Sequence, residues 1–470
     1  MKSLDVNIIY ENPIPQLRSR QAAFPNICQL ADGTLLSAMM IGEAFESADG
    51  ASFLCRSTDG GKTWSAPKRM FDSNQFGRPY SGGCKVTALP DGRVIALGYA
   101  HFREDPEMPV GNPATGGLLD DFVFYSFSED QGETWSDLQT IECAWGPHVE
   151  ASAPFYVLQD GSLITPITGF PCWDGSMTGP DIGRALRSSD LGKTWNDDPV
   201  CMDFGKRITC YEQRMCQLDS GTIINIGWNE NIETGERMNN HFTASFDNGE
   251  TWTEPVPLCE YAGRVYDARY YDGKIYVLEN CNDGEIFFCN NLPEHQYRLF
   301  VSEDFGKTFR EESVVDFGGS ENLGYGEIIR RADGSLIAYA YNVKDEKNLR
   351  YALSRDEGKT WCEHGLCFMD QQIRNPQVNI LEGQYVLFGR KTADYGAVIY
   401  TSADGIRWSC GTVLNEDNVS CYYSNTILLD HPGRPGEKRL LVQYSEVYPH
   451  PEPREWNAAV NVYHMWVEKA

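Results

Sequence analysis

Five short stretches of this 470-residue chain place phenol, carboxylate, guanidinium or imidazole groups at or near the start of strand-like runs. Tyr325 stands in Gly324-Tyr-Gly-Glu-Ile-Ile, ahead of an Asp333-Gly334 turn, and Glu212 opens Tyr211-Glu-Gln-Arg214. Arg264 and Arg269 fall in Gly263-Arg-Val-Tyr-Asp-Ala-Arg269. Arg374 opens Arg374-Asn-Pro376, Arg390 ends the next apolar run, and Asp394 follows in the loop beyond it. His148 precedes Glu150. Guanidinium groups brought together hold a carboxylate by paired, charge-assisted hydrogen bonds. A histidine and a tyrosine that remove and return a proton beside a uronic carboxylate would carry out an elimination.

The elements that must position these groups are set by a repeat. The octapeptide S-x-D-x-G-x-T-W begins at Ser57, Ser128, Ser188, Ser245, Ser302 (with Phe309 in place of Trp) and Ser354, and a shortened copy begins at Ser402. It reads as a tight turn between strands: the aspartate accepts hydrogen bonds from its own turn, the glycine supplies a positive φ, and the tryptophan packs between sheets. Seven near-identical copies cannot all be one active site, so their role is structural. Ahead of each box lies a two-strand hairpin with a D-G turn or its equivalent, as at Asp32-Gly33, Asp91-Gly92 and Asp333-Gly334. Hairpin, third strand, box and outer strand make one four-stranded propeller blade.

The expected fold is therefore all-β, a β-propeller of four-stranded blades forming a single domain over residues 1–470. The boxes start 48 to 71 residues apart, so length varies in the loops, of which His101 to Leu119 is the longest and a candidate lid. Three strand-like runs after the last box, completed by the N-terminal Val6–Tyr10 run, bring the count to eight blades and close the ring. Six or seven blades with decorations is the alternative count.

A formal net charge of −27 argues against nucleic acid or an anionic membrane as the main partner. No stretch of 18 apolar residues and no basic-then-apolar leader is visible, and 15 cysteines without CxxC pairs read as reduced thiols in a cytoplasmic protein. No spacing suggests a metal site, and no cofactor is expected. The oligomeric state is left open.

The boxes and intervening turns resemble the sialidase (neuraminidase) superfamily over almost the whole chain. That resemblance implies a tyrosine nucleophile activated by a glutamate, an aspartate as acid/base, and arginines that hold the substrate carboxylate. A phenolate attacks a cationic centre beside a carboxylate with less repulsion than a carboxylate nucleophile would feel. Tyr325 takes the nucleophile position and Glu212 that of its partner, while Arg264 and Arg269 supply one arm of the arginine cluster. Departures are specific. The family's R-I-P signature is replaced by Ala23-Phe24-Pro25, leaving Arg20 as a substitute, and Gly227 stands where an arginine is expected. Arg374-Asn-Pro376 with Arg390 and Asp394 resembles the family's first blade instead, which makes Asp394 the acid/base candidate ahead of Glu46 and Asp49.

The implied activity is exo-acting hydrolysis of a terminal acidic sugar from a short oligosaccharide. The alternatives are a polysaccharide or uronate-glycoside lyase using His148 and a tyrosine, and a sugar-binding propeller without turnover. The plainer reading of each residue is structural: Tyr325 lining the channel, Glu212 paired with Arg214 or Arg269, Arg264 and Arg269 as surface charges, His148 hydrogen-bonded at a strand entrance. Trp173 and Trp228 are either sugar-stacking or packing residues.

Overall fold

The computed structural model describes residues 2–3, 7–13, 20–44, 46–257, 261–282, 288–391, 396–414, 420–431, 433–447 and 459–468. All the regular structure among them is β, arranged as eight antiparallel sheets of the propeller-blade type and one two-stranded ribbon of Glu230–Asn231 with Glu236–Arg237. In blade 1 the order is Gln21–Gln29, Leu35–Gly42, Ala51–Ser57 and Lys68–Arg69, and blade 2 runs likewise from Tyr80–Ala88 to Gln139–Ile141. Blades 3 to 7 have their innermost strands at Val149–Glu150 with Tyr156–Val157, Tyr211–Gln217, Gly263–Tyr271, Leu323–Arg330 and Arg374–Leu381. Blade 8 is Ser420–Asp430, Lys438–Val447 and Ala459–Glu468, with Lys2–Ser3 as the outermost strand. The count of eight four-stranded blades matches the expectation from the repeat.

The N-terminal segment completes the C-terminal sheet, in register Lys2↔Glu468 and Ser3↔Val467. Asn7–Tyr10 also pairs with Ala459–Glu468. A paired edge no longer offers free backbone groups for association.

The chain divides into two compact units, Asn7–Val256 with Glu452–Val462, and Met1–Val6 with Pro257–Pro451 and Tyr463–Ala470. Blades 1 to 4 make up most of the first and blades 5 to 8 most of the second. Cores lie between neighbouring blades. One joins blades 5 and 6 through Leu278, Tyr297, Leu299, Leu323, Ile328 and Leu336, and another joins blades 2 and 3 through Leu97, Trp145, Leu163 and Leu186. Second strands are enclosed on both faces, and for that reason Leu35–Gly42 and Leu336–Asn342 are buried at every position rather than at alternate ones.

Each box folds as the sequence demands. Asp59 Oδ1 accepts from Thr63 N at 3.0 Å and from Ser57 Oγ at 2.8 Å, Thr63 Oγ1 donates to Asp59 Oδ2 at 2.6 Å, and Gly61 N donates to Ser57 Oγ at 2.8 Å. The same set recurs around Asp130, Asp190, Asp247, Asp304 and Asp356. One feature exceeded the sequence reading: the residue before the glycine is left-handed as well, as with Gln131 (φ 61) and Glu357 (φ 62). The carboxylate and serine bonds over-determine that turn and hold the strained residue in place.

Candidate functional site

An innermost strand has its second strand on one side only, so N–H groups along its other edge need acceptors. The preceding blade supplies them from side chains. Asn26 Oδ1 accepts from Val86 N at 2.6 Å, Tyr156 Oη from Met215 N at 3.3 Å, Asp267 Oδ2 from Ile328 N at 2.9 Å, and Glu327 Oε2 from Val378 N. Tyr271 Oη accepts from Arg330 N at 3.2 Å.

Most of these strands also carry a bulge near their start, where the register slips. The slips fall between Ala23 and Asn26, Tyr211 and Arg214, Val265 and Asp267, Leu323 and Gly326, and Arg374 and Gln377. Extra residues at such points are re-aimed away from the sheet's alternation. They are Phe24, Glu212, Tyr266, Tyr325 and Asn375, and three of them are left-handed: Phe24 (φ 53), Glu212 (φ 48) and Asn375 (φ 49). Ala23-Phe24-Pro25 and Arg374-Asn-Pro376 are thus the same local structure, with an arginine in blade 7 where blade 1 has alanine.

In the second unit these bulges gather a compact group. The rings of Tyr325 and Tyr266 lie 4.2 Å apart, tilted by 32°, and Tyr341 stacks on Tyr325 at 6.4 Å and 18°. Arg374 lies over the Tyr341 ring at 5.8 Å, and its Nε donates to the buried carboxylate of Glu346 at 2.5 Å. Arg390 faces Arg374 across the strand pair and is fixed by Asn375 Oδ1 at 3.0 Å. Burial pushes the Tyr341 phenol up to about 12, against the pull of Arg374 and Arg390. Arg264, half-buried, donates to Gly263 O at 2.7 Å and acts electrostatically on Tyr266. A phenol therefore stands with two guanidinium groups close by and a third beside its neighbour. Asp394 lies outside the described residues.

Arg269 has a different setting. Its Nε meets Asp267 at 2.9 Å and its Nη2 meets Glu327 at 3.5 Å, inside the tie between blades 5, 6 and 7. Burial raises both carboxyls, that of Glu327 well above the usual range. Neither Arg269 nor Arg214 provides the ion pair considered for Glu212, because Arg214 donates to Ser152 Oγ at 3.2 Å and to Gln213 O at 2.8 Å.

In the first unit Glu212 is exposed at its bulge, and its backbone N–H is gripped by both oxygens of buried Glu150 at 3.2 and 3.0 Å. The Ser152 hydroxyl also donates to Glu150, whose carboxyl burial raises. His148 is buried, with Nε2 3.5 Å from Asp120 Oδ1 and Nδ1 without a hydrogen-bond partner. Beside it is His101, held down to about 4 by burial, with Nδ1 3.1 Å from Leu119 O and its ring edge-on to Tyr99 at 5.7 Å. Glu46, raised by burial, shares this region through Arg103, whose Nη1 donates to Glu46 O at 3.0 Å. Asp49 is occupied in its own loop by Glu43 N at 2.9 Å and Ser47 Oγ at 2.6 Å, and it pairs with Arg20 at 3.4 Å.

The candidate lid is a fixed wall. Leu118 N donates to Pro171 O at 3.0 Å, and Asn112 Nδ2 and Thr115 Oγ1 donate to Trp173 O at 2.9 and 2.7 Å. Trp173 is thereby tied into that wall, while Trp228 is 43% exposed. Among the described residues no cluster of three or more metal-ligating side chains occurs, and the thirteen described cysteines are all free.

The sequence reading missed Tyr266, Tyr341, Glu346, Tyr99 and His101. Tyr266 and Glu327 lay inside segments already singled out for their neighbours, but a bulge reverses which residues share a face, and strand alternation carries no warning of it.

Residues 110–338 match the BNR repeat-like domain, and residues 56–66, over the first box, match the BNR/Asp-box repeat. The chain carries BNR/Asp-box repeats. No curated protein sequence matches it. Solved structures similar to this BNR/Asp-box protein include an ulvan lyase of a polysaccharide lyase family, at 11% identity over 94% of this chain and 93% of that one, with a TM-score of 0.46. The intramolecular trans-sialidase from Ruminococcus gnavus is 15% identical over 75% of this chain and 98% of its own, with a TM-score of 0.39. The NanB sialidase from Streptococcus pneumoniae is 13% identical over 99% and 71%, with a TM-score of 0.40.

Proposed function

We propose that this BNR/Asp-box protein is a carbohydrate-active enzyme, an exo-acting glycoside hydrolase that removes a terminal acidic sugar from a short oligosaccharide in the cytoplasm. The observation that carries the proposal is Tyr325 on its bulge with Arg374 and Arg390 gathered around the adjacent Tyr341. Arginines held by Glu346 and Asn375 are preorganised to take a carboxylate by paired hydrogen bonds. Tyr325 Oη then attacks the anomeric carbon as the glycosidic C–O bond breaks and the leaving oxygen takes a proton; water cleaves the tyrosyl–sugar bond in a second step. The resemblance to the sialidase superfamily assigns Glu212 as base and Asp394 as acid.

The test is Tyr325→Phe, assayed with a fluorogenic aryl sialoside and a fluorogenic aryl glucuronide. Turnover should fall by at least about a thousandfold, as expected when a covalent nucleophile is lost. Unchanged turnover would remove the nucleophile, and no release of aglycone from either probe by the wild-type protein would remove the hydrolase.

A lyase is favoured by a separate observation, the buried His148 with an unpartnered Nδ1 in the region of His101 and Tyr99. There a base would take the proton beside a uronic carboxylate while the leaving oxygen departs with a second proton, leaving a carbon–carbon double bond. An ultraviolet-absorbing unsaturated product, abolished by His148→Ala, would establish elimination in place of hydrolysis.

A further inference from the structure

Tyr266 is the one phenol of the tyrosine group whose hydroxyl is buried without a hydrogen-bond partner. It occupies the bulge of blade 5 as Tyr325 occupies that of blade 6, so two neighbouring blades re-aim a tyrosine at the same level of their innermost strands. Their rings touch at 4.2 Å. The backbone holds Tyr325 closely. A Cβ on Gly324 would lie 2.5 Å from Tyr341 Cζ, and one on Gly326 would lie 2.5 Å from Tyr339 O, so both flanking positions have room only for glycine. Leaving a buried hydroxyl unpaired is destabilising. A leucine or phenylalanine would avoid that cost while filling the same space.

We propose that Tyr266 is a positioning residue for the Tyr325 phenolate: its O–H donates a hydrogen bond to the Tyr325 oxygen when that phenol gives up its proton. This deepens the hydrolase reading and rests on it. The proton of Tyr325 goes to the base, Tyr266 keeps its own, and the hydrogen bond is released as the Oη–carbon bond forms. Burial and the neighbouring Tyr325 and Tyr341 both hold the Tyr266 phenol neutral, as a donor requires. Two phenolates side by side would repel, so only one of the pair ionises, and the partner that stays neutral stabilises it. Arg264, close to Tyr266, adds positive potential on the same side. The hydroxyl is unsatisfied at rest and satisfied when charge develops, which makes its stabilisation differential rather than uniform.

The experiment compares Tyr266→Phe, Tyr325→Phe and Tyr271→Phe in the full chain, with the aryl sialoside and aryl glucuronide probes. Tyr271 serves as the structural control because its hydroxyl only accepts Arg330 N from the next blade. Tyr266→Phe keeps the ring stack. It should lower kcat by about ten- to a hundredfold with KM changed by less than about twofold, the pattern for an interaction made only in the transition state. The pH at which kcat rises should move upward, and a spectrophotometric titration should lose its lowest phenolate step. Tyr271→Phe should lower the melting temperature and leave the pH profile alone.

If Tyr325→Phe inactivates the enzyme while Tyr266→Phe retains kcat and its pH profile, the role of Tyr266 is overturned and the hydrolase stands. If Tyr266→Phe lowers kcat only in step with a melting-temperature loss like that of Tyr271→Phe, its role is packing and the inference is likewise overturned. If Tyr325→Phe remains fully active, the hydrolase reading falls and takes this inference with it.

Discussion

Gly358 and Gly334 lie in the same blade at nearly the same backbone angle, φ +91 and +84, yet alanine should be tolerated very differently at the two. Either substitution meets the left-handed penalty of an L residue, on the order of 1–2 kcal/mol. At Gly334, the turn glycine of the blade 6 hairpin, nothing lies within 4 Å of the new Cβ. At Gly358, the box glycine, that atom would sit 2.1 Å from Leu299 Cδ2 and 3.5 Å from Leu336 Cδ1. Both leucines are buried in the core between blades 5 and 6, so the leucine methyl group has no solvent to retreat into. Overpacking of this kind adds about 1–3 kcal/mol. Gly358→Ala is therefore expected to cost about 2–5 kcal/mol and Gly334→Ala about 1–2 kcal/mol. Urea unfolding at fixed pH, with comparable slopes for the three proteins, reads the difference directly. Equal losses for the two variants would refute the view that the box glycine is the contact through which one blade seats on the next.

Three further outcomes follow from the same geometry. Thr134 and the turn backbone hold Asp130 at about 2, so its contribution is present above the unfolded value near 3.9 and fades as pH falls through about 2; Asp130→Asn should melt lower at neutral pH and match the wild type below about pH 2. Burial raises Glu150, so its contribution is complete below about pH 4.3 and declines as pH rises through the folded value; the melting gap between wild type and Glu150→Gln should narrow from acid to neutral pH. A Cβ on Gly117 would lie 1.8 Å from Cys172 O, a backbone atom that cannot step aside, so Gly117→Ala should free the 103–119 wall and speed tryptic cleavage at Arg103, whereas Gly111→Ala, whose Cβ would meet only Leu118 Cδ2 at an ordinary 3.5 Å, should leave the cleavage rate nearly unchanged.

The blades, their number and their box turns were legible in the residue order because each is a local matter. A serine, aspartate, glycine and threonine at fixed offsets close their own hydrogen bonds within eight residues, wherever the segment lies in the chain. The hairpins ahead of them follow from D-G turns between apolar runs in the same way. The choice of Tyr325, Arg374 and Arg390 came from the resemblance to the sialidase superfamily, and the structure puts those three in one neighbourhood.

What the residue order could not reveal depends on register and on neighbours distant in sequence. Tyr266 and Tyr325 are 59 positions apart, and their rings meet only because both innermost strands bulge at the same height. Arg269 reads as a substrate arm until Asp267 and Glu327 are found engaging it inside an interblade tie. The loop from His101 to Leu119 reads as a lid until Leu118 N is seen bonded to Pro171 O, and the Asn112 and Thr115 side chains to Trp173 O. Local turns are decided by residues that are neighbours along the chain, but which side chain faces a pocket is decided by a single inserted residue in a strand. That insertion is settled by tertiary packing between blades.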